Sequence, residues 1–93
     1  MPDGYPNRVP AVHEVGLDVC RELGRGGMVM TRPEIRRAVL SKFESLGIRR
    51  SKESIFPSDW CIDPNASDDK LRRCPRPFLR WAEHERSGKY ILA

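Results

Sequence analysis

The side chains best suited to chemistry fall in the run Ser51-Lys52-Glu53-Ser54-Ile55-Phe56-Pro57-Ser58-Asp59-Trp60-Cys61-Ile62, led in by Arg49 and Arg50. It offers hydroxyls, cations, two carboxylates, a thiol and an indole. As a hydrolytic site it falls short: Glu53 and Asp59 stand six residues apart, off a common helical face, and no convergent carboxylate set with a lysine is recognisable. The chain also lacks a glycine-rich phosphate loop, a nucleophile elbow and a histidine pair at metal spacing. Cys61 and Cys74 with His84 or His13 could supply zinc ligands in kind. They lack the short Cys-x2–4-Cys knuckle that preorganises a structural site. No enzyme activity, metal or cofactor is expected.

Hydroxyls beside cations have another use. Ser54 and Ser58 are four residues apart, so they share one face of any helix that continues through Pro57. Hydroxyls donate to or accept from base edges, while Arg49, Arg50 and Lys52 at a helix start favour phosphate. Trp60 has two readings: a core residue beside Phe56, or an exposed aromatic that stacks on a base or meets a methyl group in the major groove.

Charge points the same way. The chain of 93 residues has a net charge of +4. Residues 70–93 hold seven cations (Lys70, Arg72, Arg73, Arg76, Arg80, Arg86, Lys89) against Glu83 and Glu85, that is 7 − 2 = +5. A one-sided basic field of this kind suits a polyanion.

The elements that must position these groups follow from periodicity. One domain is expected at this length, over residues 10–93, preceded by an irregular arm at 1–9 in which Tyr5 folds back or Arg8 reaches a backbone phosphate. Val12, Val15, Gly16, Val19 and Leu23 give residues 10–23 a single apolar helical face, flanked by Cys20 and stopped at Gly24. Met28-Val29-Met30 reads as a short extended piece that buries both methionines. Thr31 and Glu34 form a capping box, and Ile35, Ala38, Val39, Phe43 and Leu46 stripe a second helix ending at Gly47. A third helix is expected from Lys52 to Ile62, kinked or split at Pro57, with Ile55, Phe56 and Ile62 turned to the core. Residues 63–77 read as turn and basic loop, long for a compact domain. Phe78–Ala82 and Lys89–Leu92 form a hairpin turning at Ser87-Gly88, with either Leu79 and Trp81 or Phe78, Arg80 and Ala82 facing inward. Phe43, Phe56 and Phe78 are assigned to the core with Ile35 and Val39. The three cysteines, odd in number and widely spaced, are expected as reduced, partly buried thiols. No apolar run approaches the ~20 residues of a membrane span, and with no signal architecture at the N-terminus the expected location is cytoplasmic, away from any membrane.

Helix, helix, helix and hairpin in this order make an α+β fold, a winged helix-turn-helix whose hairpin is the wing. The stretch Ser54–Asp63, with Pro77-Phe78-Leu79 and Gly88-Lys89-Tyr90, resembles a small bacterial winged-helix-like family. That family's pattern is an aliphatic residue, Pro-Ser-Asp, an aromatic and Cys, with a later Gly-x-Tyr hairpin. The resemblance covers roughly residues 30–92 and implies DNA association, often beside restriction or mobile-element genes. Ile62 and Asp63 stand where the pattern has an aromatic residue and Asn, which weakens the carry-over of a polar base contact to position 63. The expectation is a sequence- or modification-dependent binder of double-stranded DNA. Its third helix would lie in the major groove through Arg49, Arg50, Lys52, Ser54, Ser58 and Trp60, with Arg72, Arg73, Arg76, Arg80, Arg86 and Lys89 on phosphates. The alternative is a protein-interaction module, such as a phage- or plasmid-type inhibitor or adaptor.

Overall fold

The computed structural model describes residues 9–84 and 87–93. The expected roles of Tyr5, Arg8 and Arg86 lie outside these residues. The architecture is α+β, with three α-helices and a three-stranded antiparallel sheet among the described residues. Helix α1 (Val12–Leu23) turns Val15, Gly16, Val19 and Cys20 inward, as its periodicity requires. Gly24 ends it by donating its N–H to the Cys20 carbonyl at 2.8 Å. A 3-10 turn over Arg25–Gly27 follows, with Gly26 and Gly27 at φ +74° and +81°.

Strand β1 is shorter and later than the sequence suggests: it covers Met30–Thr31. Only Met30 of the apolar trio is buried, while Met28 and Val29 are exposed. The expected burial of Met28 therefore fails. The two-residue strand leaves the segment before it outside the sheet.

Helix α2 (Arg32–Ser45) begins with the expected capping box. Glu34 N–H donates to Thr31 Oγ1 at 3.4 Å, and Thr31 N–H donates to Glu34 Oε1 at 3.2 Å. Ile35, Val39 and Phe43 of its stripe have no solvent exposure. The helix closes at Leu46, followed by Gly47 at φ +76°.

No α-helix is found over residues 51–62. Two separate 3-10 turns stand there, Lys52–Ser54 and Pro57–Trp60. The cause is local: proline clashes with an α-conformation in the residue before it, and Ile55 is extended at φ −109° while Phe56 lies outside the α region at φ −122°, ψ 88°. The third α-helix, α3, is Asp68–Arg73, inside the stretch expected to be loop. Its signals are a Ser67 cap accepting from Lys70 N–H at 3.2 Å, acids in the first turn, and Lys70, Arg72 and Arg73 in the last.

Strands β2 (Leu79–Trp81) and β3 (Lys89–Leu92) pair antiparallel, and β1 pairs with the other edge of β3, giving the order β1-β3-β2. The register sets Trp81 opposite Tyr90, Leu79 opposite Leu92, and Met30 opposite Tyr90. Because side chains alternate along a strand, Leu79, Trp81, Tyr90, Leu92 and Met30 share the core face. Arg80, Lys89 and Ile91 share the other. Of the two inward sets open from sequence, the structure takes Leu79 and Trp81. The core lies between this sheet face, α1 and α2.

Candidate nucleic-acid interface

The segment 55–62 is pinned from three sides. Arg36 Nε on α2 donates to the Ile55 carbonyl at 3.0 Å, holding the fully buried Ile55 against the core. Trp60 is 3% exposed and sits on Gly16, where an added Cβ would stand 2.5 Å from the indole Cη2. Phe78 stacks on Trp60 with ring centroids 5.6 Å apart. Finally, Phe78 N–H donates to the Trp60 carbonyl and Ile62 N–H to the Leu79 carbonyl, both at 2.9 Å. Cys61 thereby adds a parallel bridge to the free edge of β2.

These anchors decide three expectations. Trp60 belongs to the core, so it cannot stack on a base from this position. Phe56 does not: extended residues alternate in direction, and with Ile55 and Pro57 both buried, Phe56 points outward at 48% exposure. Ile62 is likewise outside, at 53% exposure. Phe78 is half-buried against the core.

Ser54 and Ser58 do not share a helical face, because the helix that would align them is absent. Ser54 is exposed and donates its hydroxyl to the Ser51 carbonyl at 2.7 Å. Ser58 is half-buried. Folding nonetheless gathers part of the expected set. Ser54, Phe56, Asp59, Arg72 and Arg73 line one shallow hollow of about 330 Å³. Arg73 Nε pairs with Asp59 Oδ2 at 3.0 Å, joining α3 to the second turn. Arg72 pairs with Asp69 at 3.4 Å, and Lys89 with Glu83 at 2.8 Å. The Lys89 hydrogen bond and charge hold the Glu83 carboxyl below its ordinary range.

Arg49, Lys52, Arg76 and Arg80 are exposed and make no ion pair with a described residue. Arg50 lies over the Phe43 ring, 5.2 Å from its centroid. Arg80 and Lys89 are on the outer sheet face, and Arg76 stands beside α1 in a groove with His13 and Phe78. The cations are thus dispersed: Arg72 and Arg73 beside Ser54 and Phe56, Arg49 and Arg50 at the end of α2, Arg76 beside α1, and Arg80 and Lys89 on the hairpin strands.

Cys20, Cys61 and Cys74 are buried thiols. Burial pushes Cys20 and Cys61 up to about 12 and raises Cys74 as well. At neutral pH they are apolar filling rather than nucleophiles. Among the described residues no group of three or more His, Cys, Asp or Glu side chains could hold a metal ion. No helix among them is long and apolar enough to cross a membrane.

A second hollow escapes sequence reasoning. It is an open cleft of about 570 Å³ whose wall includes Arg32, Ser58, Asp59, Asp63, Lys70 and Trp81. These residues come from α2, the Pro57–Trp60 turn, the loop at 62–67, α3 and β2, so no local spacing could signal the site. Family models, curated proteins and solved structures were all compared with the chain, and none matches it.

Proposed function

We propose that this protein is a double-stranded DNA-binding module of winged-helix type, as its helix, strand and hairpin order suggests. The resemblance to the Pro-Ser-Asp-aromatic-Cys family is consistent with that reading. The contact surface is α3 together with the two 3-10 turns, rather than a long recognition helix. The hairpin serves as the wing, with Arg80 and Lys89 toward phosphates. One observation carries the reading: Arg72 and Arg73 of α3 border Ser54 and the outward Phe56 in one hollow, within the C-terminal stretch that holds the basic excess of the sequence.

The most exposed ion pair on this surface does not oppose the reading. Arg72 and Asp69 are 79% and 75% exposed, so their pair is worth well under ~1 kcal/mol in water. A phosphate oxygen can take over such a guanidinium at little cost. Arg49, Lys52 and Arg76 add cations that no described carboxylate holds. Base contact falls to Ser54, Ser58 and Phe56, whose ring suits a thymine or other methyl group. Discrimination of modified bases rests on those three residues.

The test is a fluorescence titration against random duplex, with and without modified bases, at two salt concentrations. Affinity should fall with a log–log slope near −0.9 for each phosphate neutralised. Replacing Arg72, Arg73 and Arg76 with alanine should weaken binding to every sequence and flatten that slope by ~2–3. Unchanged affinity would move the contact surface elsewhere. A second reading, a protein-interaction module, is favoured by the outward apolar side chains Phe56, Ile62, Leu71, Met28 and Val29. It predicts binding that is nearly indifferent to salt and no affinity for duplex.

A further inference from the structure

We infer that the cleft between α2, the Pro57–Trp60 turn, α3 and β2 is a nucleobase pocket, and that its occupant is a single nucleotide extruded from the duplex; the extruded occupant rests on the DNA-binding reading above. The cleft's volume of about 570 Å³ lies within the ~300–1,000 Å³ usual for small-ligand sites.

Its wall has the chemistry of a base receptor. Trp81 supplies an aromatic surface, backed by the Tyr90 ring at a centroid distance of 4.9 Å. Arg32 and Lys70 bring donors, Asp59 and Asp63 bring acceptors, and Asn65 brings one of each. The four charges cancel, 2 − 2 = 0, so the cleft as a whole does not attract an anion. A net-neutral site with an indole wall and paired donors and acceptors selects a flat, neutral ligand that has both kinds of group on its edge. A nucleobase has that form, and a free phosphate or carboxylate does not.

The polar groups are held in place before any ligand arrives. Arg32 reaches the hydroxyl of the fully buried Tyr90 at 3.4 Å, and its backbone N–H donates to the Gly88 carbonyl at 3.2 Å. Asp63 accepts the Asn65 backbone N–H at 2.9 Å on Oδ1 and pairs with Lys70 at 3.5 Å through Oδ2. Asp59 is held by Arg73 at 3.0 Å. Preorganised partners of this kind lower the cost of ordering on binding.

Position ties the cleft to the duplex. Asp59 lines both this cleft and the hollow of Phe56, Arg72 and Arg73, so the second turn is a ridge between them. A strand with a phosphate on Arg72, which leaves the Arg73–Asp59 pair intact, has the cleft on the far side of that ridge. Extrusion costs least for a mismatched or damaged base, and that difference would give the module a preference for such sites.

Two measurements on the whole chain decide the matter. The first is NMR of the indole N–H signals with deoxynucleoside 5′-monophosphates, using deoxyribose 5-phosphate as the base-free control. Trp81 should shift saturably with a Kd on the order of 1 mM, while the buried Trp60 stays still and the control does nothing. Lys70→Gln and N65A, the latter at an exposed position, should each weaken the response about tenfold. An equal shift with the control, or no saturable shift of Trp81, overturns the pocket.

The second is a duplex with 2-aminopurine opposite an abasic position, read by emission and anisotropy on one sample. Binding with a rise in emission that N65A suppresses is the expected result. Binding without that rise overturns the extruded occupant and leaves the DNA-binding reading standing. No binding at all overturns the DNA-binding reading and the occupant with it.

Discussion

The α1–α2 half of the molecule and the segment from Ser51 to Trp81 are built on different principles. In the first half, each helix is specified by its own sequence: an apolar stripe and a glycine stop in both, and a capping box on α2. Ile35, Val39 and Phe43 recur at helical spacing and are all fully buried. In the second, short pieces of structure are held mainly by partners distant in sequence. The Pro57–Trp60 turn is fixed by α1 through Gly16, by Phe78, and by the edge of β2. Helices whose own pattern suffices can be read locally. A turn that needs three distant partners cannot, and such surface segments are also where binding groups concentrate.

Two phenylalanines test that contrast most sharply. Phe43→Ala should cost ~3–5 kcal/mol in chemical denaturation, a large part of the ~5–15 kcal/mol that holds a small domain. Phe56→Ala should stay within about 0.5 kcal/mol of the parent. Equal losses would mean that the turn segment is packed as tightly as α2 and that Phe56 is not outward.

Gly16→Ala probes the seam between the halves. Its Cβ would stand 2.5 Å from the Trp60 indole, which is rigid and buried. Overpacking of this kind costs about 1–3 kcal/mol. Combining it with Trp60→Phe should give less than the sum of the two single losses, because the smaller ring vacates the contested space. Strict additivity would show that Gly16 and Trp60 are not in contact.

Thr31→Ala removes one arm of the capping box on α2 and should cost ~1 kcal/mol, measured by thermal or urea unfolding. The helix should survive, since its buried stripe holds it independently of the cap.

The smallest effect at neutral pH concerns the thiols. Cys20 and Cys61 titrate ordinarily at 9.0 and are pushed up to about 12 by burial. A raised value means that the folded state keeps protons the unfolded state loses. Stability is therefore full below pH 9 and falls as the pH climbs toward 12. Alanine at either cysteine should flatten that alkaline decline. An unchanged slope would assign it to other groups.

Several elements were legible in the sequence because their physics is local. Periodicity defined the faces of α1 and α2, Thr31 and Glu34 marked the start of α2, and alternation limited β2 to two possible inward sets. Pro57 marked a break in the third helical segment, and its steric effect on Phe56 is what leaves only 3-10 turns there. The Ser67 cap and the acid-to-base order of α3 were also present, but six residues give too little periodicity to separate a helix from turn chemistry.

What tertiary structure decided is which side chains meet. Phe56 and Ile62 have the same apolarity as Ile55, yet only Ile55 is buried, because α2 grips its carbonyl through Arg36 and the extended backbone turns the next side chain away. Trp60 became core because glycine at position 16 leaves room for an indole, a fit that no local pattern encodes. The cleft of about 570 Å³ joins Arg32 to Asp59, Lys70 and Trp81 across almost fifty residues of chain. Composition supplied its charges and its aromatic ring. Only the tertiary fold brought them around one space, since long-range contacts depend on the whole chain.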